Sequence, residues 1–215
     1  KEAAPKASSI YYISKRRMMS FYPWESNDLR FRDELLNKKQ FQLSTPSMNP
    51  QRSVFWSEAY IDSAHKGLIT TLGLPVYLDD EFIGSINLDM TLSSLDKQIR
   101  TCFKMPGTVI LLEQQNNILS HSDFDSNEIN KVYHISQRIP AELHSLSESE
   151  LFDAHEGILR NGYYIHSVAL HNAPWRLLYL QDEDDLFKDS WDKLQLSFLL
   201  VVLALSLLVT IVHWQ

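Results

Sequence analysis

From Glu81 to Met90 the chain alternates with a period of two: Ile86, Leu88 and Met90 face one way, Ser85, Asn87 and Asp89 the other. Leu68–Tyr77, rich in β-branched and apolar residues, precedes it across a tight Asp79-Asp80 turn. The pair reads as an antiparallel hairpin, irregular near Pro75, which cannot donate to a ladder. A strand carrying an unbroken polar row either turns that row to solvent or lines a polar ligand pocket with it. Upstream, Ile10–Ser14 and Met18–Tyr22 form a second hairpin around Lys15-Arg16-Arg17. Asn27-Asp28 can cap a helix from Leu29 to about Lys38 with Phe31, Leu35 and Leu36 on one side, and Ser44–Arg52, with Pro46, Asn49 and Pro50, reads as loop. Thr91 caps a helix from Leu92 to about Arg100.

A second set of strands follows. Gly107–Glu113 pairs with Ile118–His121 across Asn116-Asn117, and Gly162–Leu170 pairs with Trp175–Gln181 across His171–Pro174. The polar stretch Asp123–Gly157 between them is part helix and part loop. Asp182-Glu183-Asp184-Asp185 places four carboxylates where a helix macrodipole is positive, so a final helix opens there. It runs through Leu186, Phe187, Trp191 and Leu194 into Leu196–Trp214, which has no Lys, Arg, Asp or Glu and no Gly or Pro. At about 1.5 Å rise per residue that run crosses a ~30 Å hydrocarbon core, and Trp214 suits the interface. The pattern thus predicts an α+β chain of two modules, residues 1–100 and 101–193, followed by a transmembrane helix over 194–215 that contacts lipid.

Composition narrows the function. A hydrophobic fraction of 44% supports packed cores. A net charge of −7 argues against a nucleic-acid surface. The lone Cys102 excludes an internal disulfide. With 6 Gly there is no nucleotide-binding glycine loop, and no serine nucleophile elbow or cofactor motif appears. Asp123-x-Asp125-x-Asn127 opens like a calcium loop, but the required Gly is missing and His134 stands where the bidentate Glu belongs, so no metal site is expected. His144, His155, His166 and His171 gather in the second half, where a pH response is conceivable. The chain begins at Lys1 without Met or a signal peptide, which reads as a fragment of a longer protein.

Trp56-Ser-Glu-Ala-Tyr-Ile-Asp62, then Gly67–Thr70, Leu74–Tyr77 and Gly84-Ser-Ile-Asn-Leu-Asp89-Met-Thr-Leu92, resembles the double Cache family of PAS-like extracytoplasmic sensor domains in bacterial transmembrane receptors. The resemblance spans about residues 10–195, and the second half matches by topology only. It implies two stacked antiparallel-sheet modules, the distal one holding a small ligand, with no catalysis in this segment. It also implies a periplasmic domain on the bacterial inner membrane and a homodimer. The output would be a cytoplasmic GGDEF-type diguanylate cyclase or, alternatively, a histidine kinase.

Trp56, Tyr60, Asp62 and Asp89 match the positions that surround a ligand amine in the amino-acid-binding branch. Buried carboxylates and aromatic faces favour a cation on chemical grounds alone. Asn87 belongs to the same polar row. The branch's Arg-x-Trp-Tyr motif for a ligand carboxylate is absent; Arg30, Arg32 or Arg52 could substitute. A small amine or other metabolite is therefore the expected ligand, and a ligand-free, membrane-tethered interaction domain is the alternative. Each candidate also has a plain structural role open to it: Trp56 and Tyr60 as core neighbours, Asp62 and Asp89 as turn or helix caps.

Overall fold

Strands β5 (Leu68–Leu78) and β6 (Glu81–Thr91) form the longest hairpin, with a register shift between Val76 and Tyr77, just past Pro75. The computed structural model describes residues 7–23, 31–62, 67–125, 131–186 and 188. Hairpin β1 (Ser9–Ser14) and β2 (Met18–Tyr22) adds to one side of β6 through β1. The short β3 (Phe55–Trp56) and β4 (Tyr60–Ile61) both pair with β5. The resulting antiparallel sheet has the order β2-β1-β6-β5-β3.

The polar row of β6 faces inward, and the apolar row is covered only toward Met90, 3% exposed, where it meets the second module. Ser85 and Asn87 are fully buried and Asp89 is 6% exposed, whereas Ile86 on the opposite face is 44% exposed. Ile10 and Leu74 share that open apolar face. The buried face carries Tyr11 and Ile13 beside the polar row. Phe41 and Phe82 pack on these two, flanked by Phe31, Leu35 and Leu36. The helix expected over residues 29–38 is broken in its described part. It becomes α1 (Glu34–Asn37) and α2 (Lys39–Gln42), separated by extended Lys38 (φ −65, ψ 142). The Asn27-Asp28 cap lies outside the described residues.

Helix α3 (Leu92–Cys102) starts where Thr91 Oγ1 accepts from the Ser94 N–H at 3.2 Å. Asp96 on its inner side accepts from Ser120 Oγ at 2.9 Å and from Arg100 Nε at 2.6 Å. Arg100 also donates to the carbonyls of His121, Ser122 and Phe124, so α3 is bound to the second module.

That module is an antiparallel sheet of order β8-β7-β11-β10-β9, built from β7 (Thr108–Leu112), β8 (Ile118–His121), β9 (Ile158–Arg160), β10 (Tyr163–Ala169) and β11 (Arg176–Asp182). Ile110, Leu112, Ile165, Leu178 and Leu180 line its inner face. The segment between the hairpins covers that face with Ile135, Leu143 and Leu151, using two 3-10 turns and α4 (Glu148–Phe152). A capping box, Ser147 with Glu150, starts α4.

Helical geometry resumes at Glu183, where Asp182 Oδ1 accepts from the Asp184 N–H at 2.8 Å. The expected span Leu196–Trp214 lies outside the described residues. Among those described, no helix is long and apolar enough to cross a membrane.

Candidate functional site

The polar row of β6 converges with β1, β4 and β5 at Asp89. Its register partners are Ser9 on β1 and Thr71 on β5, so three strands bring short polar side chains to one level of the buried face. Thr71 Oγ1 donates to Asp89 Oδ1 at 2.7 Å, Tyr11 Oη to the same oxygen at 3.2 Å, and Ser9 Oγ to Oδ2 at 3.1 Å. Tyr60 Oη lies 2.7 Å from Thr71 Oγ1, which joins β4 to the cluster. Among the described residues no cation forms an ion pair with Asp89.

Burial pushes the Asp89 carboxyl above the usual carboxylate range. The three hydroxyl donors pull it down, and the nearby Asp62 carboxylate adds to the rise. Burial, then the Asp89 charge, also raises the Tyr11 and Tyr60 phenols, which therefore stay protonated as donors. Removing a carboxylate from water costs several kcal/mol, and neutral hydroxyls offset only part of that. A cation brought to Asp89 would supply the missing attraction.

Of the residues singled out in the sequence, the structure gathers Tyr60, Asp62, Asn87 and Asp89. Asn87 is fully buried two positions from Asp89, and its Nδ2 donates to Ser85 Oγ at 2.9 Å. Trp56 is not among them. It pairs with Leu72 on the opposite face and packs at a 53° tilt against Trp175 of the second module, ring centroids 4.3 Å apart. Its one-residue offset from Phe55 is decisive, because neighbouring strand residues point to opposite faces.

Of the two β3 aromatics, Phe55 is the one on the polar side, and it is not among the residues that the sequence pattern picks out. A Cβ placed on its partner Gly73 would lie 2.1 Å from Phe55 Cζ, so the ring occupies the room that glycine leaves. The only signal for it is Gly73 itself, a side-chain gap inside a long strand.

Arg52 also stands apart. It lies over the Tyr77 ring at 4.1 Å and pairs with Asp80 at 3.0 Å, at the far tip of the β5–β6 hairpin. Arg32 is exposed and Arg30 lies outside the described residues. The Arg52 side chain is therefore engaged at that tip, by Tyr77 and Asp80.

Within the calcium-like segment, Asp123 takes hydroxyls from Thr108 and Ser122, each at 2.7 Å, and Asn127 lies outside the described residues. No three ligand-type side chains come together among the described residues.

A separate cleft of about 130 Å³ lies between the modules, lined by Lys39, Trp56, Glu58, Glu113 and Trp175 among others. Here Glu113 of the second module accepts from the Ala59 N–H at 3.1 Å, one residue before Tyr60. Leu68, Met90, Leu92 and Leu95 pack against Leu111, Leu119 and Trp175 to complete the junction. The Asp89 cluster and the second module are thus joined through a two-residue stretch of backbone.

No protein-family model matches the sequence, and no curated protein matches it. Solved structures do. The ligand-binding domain of the Pseudomonas fluorescens chemoreceptor CtaA, with L-serine, aligns at TM-score 0.60 and 15% identity over 83% of this chain and 74% of that one. The chain has the fold of the double Cache sensor domains. The same comparison finds the Pseudomonas aeruginosa amino-acid chemoreceptor PctC with GABA, at TM-score 0.56 and 15% identity over 82% of this chain and 74% of that one. It also finds the Campylobacter jejuni chemoreceptor Tlp3 with 4-methylisoleucine, at TM-score 0.53 and 17% identity over 83% of this chain. The chain spans 66% of that Tlp3 domain. The tandem-sheet architecture expected from the sequence is therefore present in this double Cache form.

Proposed function

We propose that this chain is the ligand-sensing, non-catalytic part of a bacterial inner-membrane receptor, and that its first module binds a small molecule through an ammonium group at Asp89. The observation that carries this reading is a buried carboxylate held by three neutral hydroxyls, with no cation paired to it among the described residues. The amino-acid ligands of the structurally similar domains support the same chemistry. The folded modules sit in the periplasm, and the helix that opens at Glu183 leads toward Leu196–Trp214 as the membrane span. Ligand binding favours one arrangement of the two modules over another, and the shift passes down that helix in a homodimer. The GGDEF cyclase expected downstream, with a histidine kinase as its alternative, gains no support from neighbours that are chemoreceptors, a different output class.

Thermal unfolding of the purified chain in detergent tests the binding step, with n-butylammonium, 4-aminobutyrate and L-serine as probes. A ligand at a hundredfold excess over Kd stabilises by about 2.7 kcal/mol. At least one probe should raise Tm in the wild type and leave Asp89→Asn unmoved. No rise with any probe, or an equal rise in both proteins, would overturn the assignment.

A further inference from the structure

Asn87 is completely buried, and while its Nδ2 donates to Ser85 Oγ at 2.9 Å, its Oδ1 has no hydrogen-bond partner among the described residues. Buried acceptors left unpaired are rare in folded proteins and costly. The carbonyl is also poorly placed to find a partner within the sheet. Its cross-strand neighbours are Tyr11, whose hydroxyl is committed to Asp89, and Gly73, whose missing side chain is replaced by the Phe55 ring. Apolar ring surface therefore borders a bare oxygen that points to the same side of the sheet as Asp89.

The Asp89 carboxylate offers about four lone-pair positions, and Ser9, Tyr11 and Thr71 already take three. One direct bond to a ligand remains there. Asn87 and Asp89 alternate on β6, so their Cα atoms are about 6.7 Å apart with parallel side chains of equal length. A nitrogen between two oxygens at ~2.8 Å from each can bridge a gap of up to about 5.6 Å. A nitrogen seated so needs two N–H groups, one for each oxygen.

We infer that Asn87 Oδ1 is the second acceptor for the ligand nitrogen, making the site selective for primary ammonium groups over fully N-methylated ones. This rests on the ammonium reading of Asp89 and sharpens it. A carboxylate with aromatic walls alone would accept a quaternary ammonium readily, because charge and cation–π attraction need no N–H. A bare amide oxygen reverses that preference, since a trimethylammonium would bury it permanently unpaired.

Binding of n-butylammonium and N,N,N-trimethylbutylammonium to the chain in detergent, by calorimetry, decides the matter. The primary amine should bind roughly 10- to 100-fold more tightly, the range of one hydrogen bond to a charged group. Asn87→Val should lose that preference while its ligand-free Tm holds or rises, because the partnerless buried oxygen goes, offsetting the lost bond to Ser85. Asn87→Asp, which keeps the oxygen, should retain the preference and serves as the second variant if valine prevents folding. Equal affinities in the wild type, or discrimination that survives in Asn87→Val, would overturn the inference while leaving the ammonium site standing, provided Asp89→Asn abolishes binding. Absence of n-butylammonium binding to the wild type, or binding that ignores Asp89→Asn, would overturn both.

Discussion

Replacing Gly73 by Ala asks one methyl group to enter space already held by the Phe55 ring. The new Cβ would fall 2.1, 2.5 and 2.7 Å from three ring carbons, where ordinary contacts begin near 3.4 Å. The ring tip must retreat by more than an ångström, which it can do only by turning away from its place over Gly73. Overpacking of this kind costs about 1–3 kcal/mol. Against that, alanine gains ~0.5–1 kcal/mol over glycine within a strand. The expected net loss is about 0–2.5 kcal/mol. Urea unfolding of Gly73→Ala, Phe55→Ala and the double variant measures it. Because removing the ring removes the collision, the double variant should be more stable than the two single losses predict, by roughly 1–3 kcal/mol. Additive losses would refute the placement of Phe55 on the polar side of the sheet.

Acidity bears on the site with a defined sign. Burial raises the Asp89 carboxyl above its unfolded value, so this group destabilises the ligand-free fold as pH rises from the ordinary aspartate range through the raised one. Mild acidification should therefore relieve that cost in ligand-free protein while weakening n-butylammonium, which stays cationic throughout; calorimetry across pH 4–8 checks both, and an affinity that grows on acidification contradicts the argument. At the module junction, Glu113→Ala leaves the Ala59 N–H without its acceptor and should cost about 1–3 kcal/mol in urea unfolding, whereas Glu113→Gln, which keeps one acceptor oxygen for Ala59 and gives up the one facing Asn117 Nδ2, should cost less. Equal losses would mean that the Ala59 contact carries no weight. The chain expressed in bacteria should stay with membranes after an alkaline wash, and release into the aqueous fraction would refute Leu196–Trp214 as a span.

The β5–β6 hairpin was legible because alternation and the Asp79-Asp80 turn agree, and the Thr91 cap was legible from residue type alone. Which face of β6 turns inward was not. Alternation gives a period, and the side that is covered depends on the Phe31–Phe41 segment, which arrives from elsewhere in the chain. Trp56 and Phe55 show the same limit at the scale of one residue: with only two residues in β3, no alternation exists to say which ring faces Asp89. The break at Lys38 leaves no mark in the apolar spacing of Phe31, Leu35 and Leu36. Strand β9, three residues long and largely exposed, carries no apolar pattern to read.

The central claim is that Asp89 holds a ligand's positive nitrogen, and a crystal structure of the chain grown with n-butylammonium tests it most directly. The nitrogen should lie within about 3 Å of an Asp89 carboxylate oxygen, on the Phe55 side of the sheet. An amine bound instead in the cleft beside Glu113 and Trp175, with the Asp89 cluster unchanged, would contradict it.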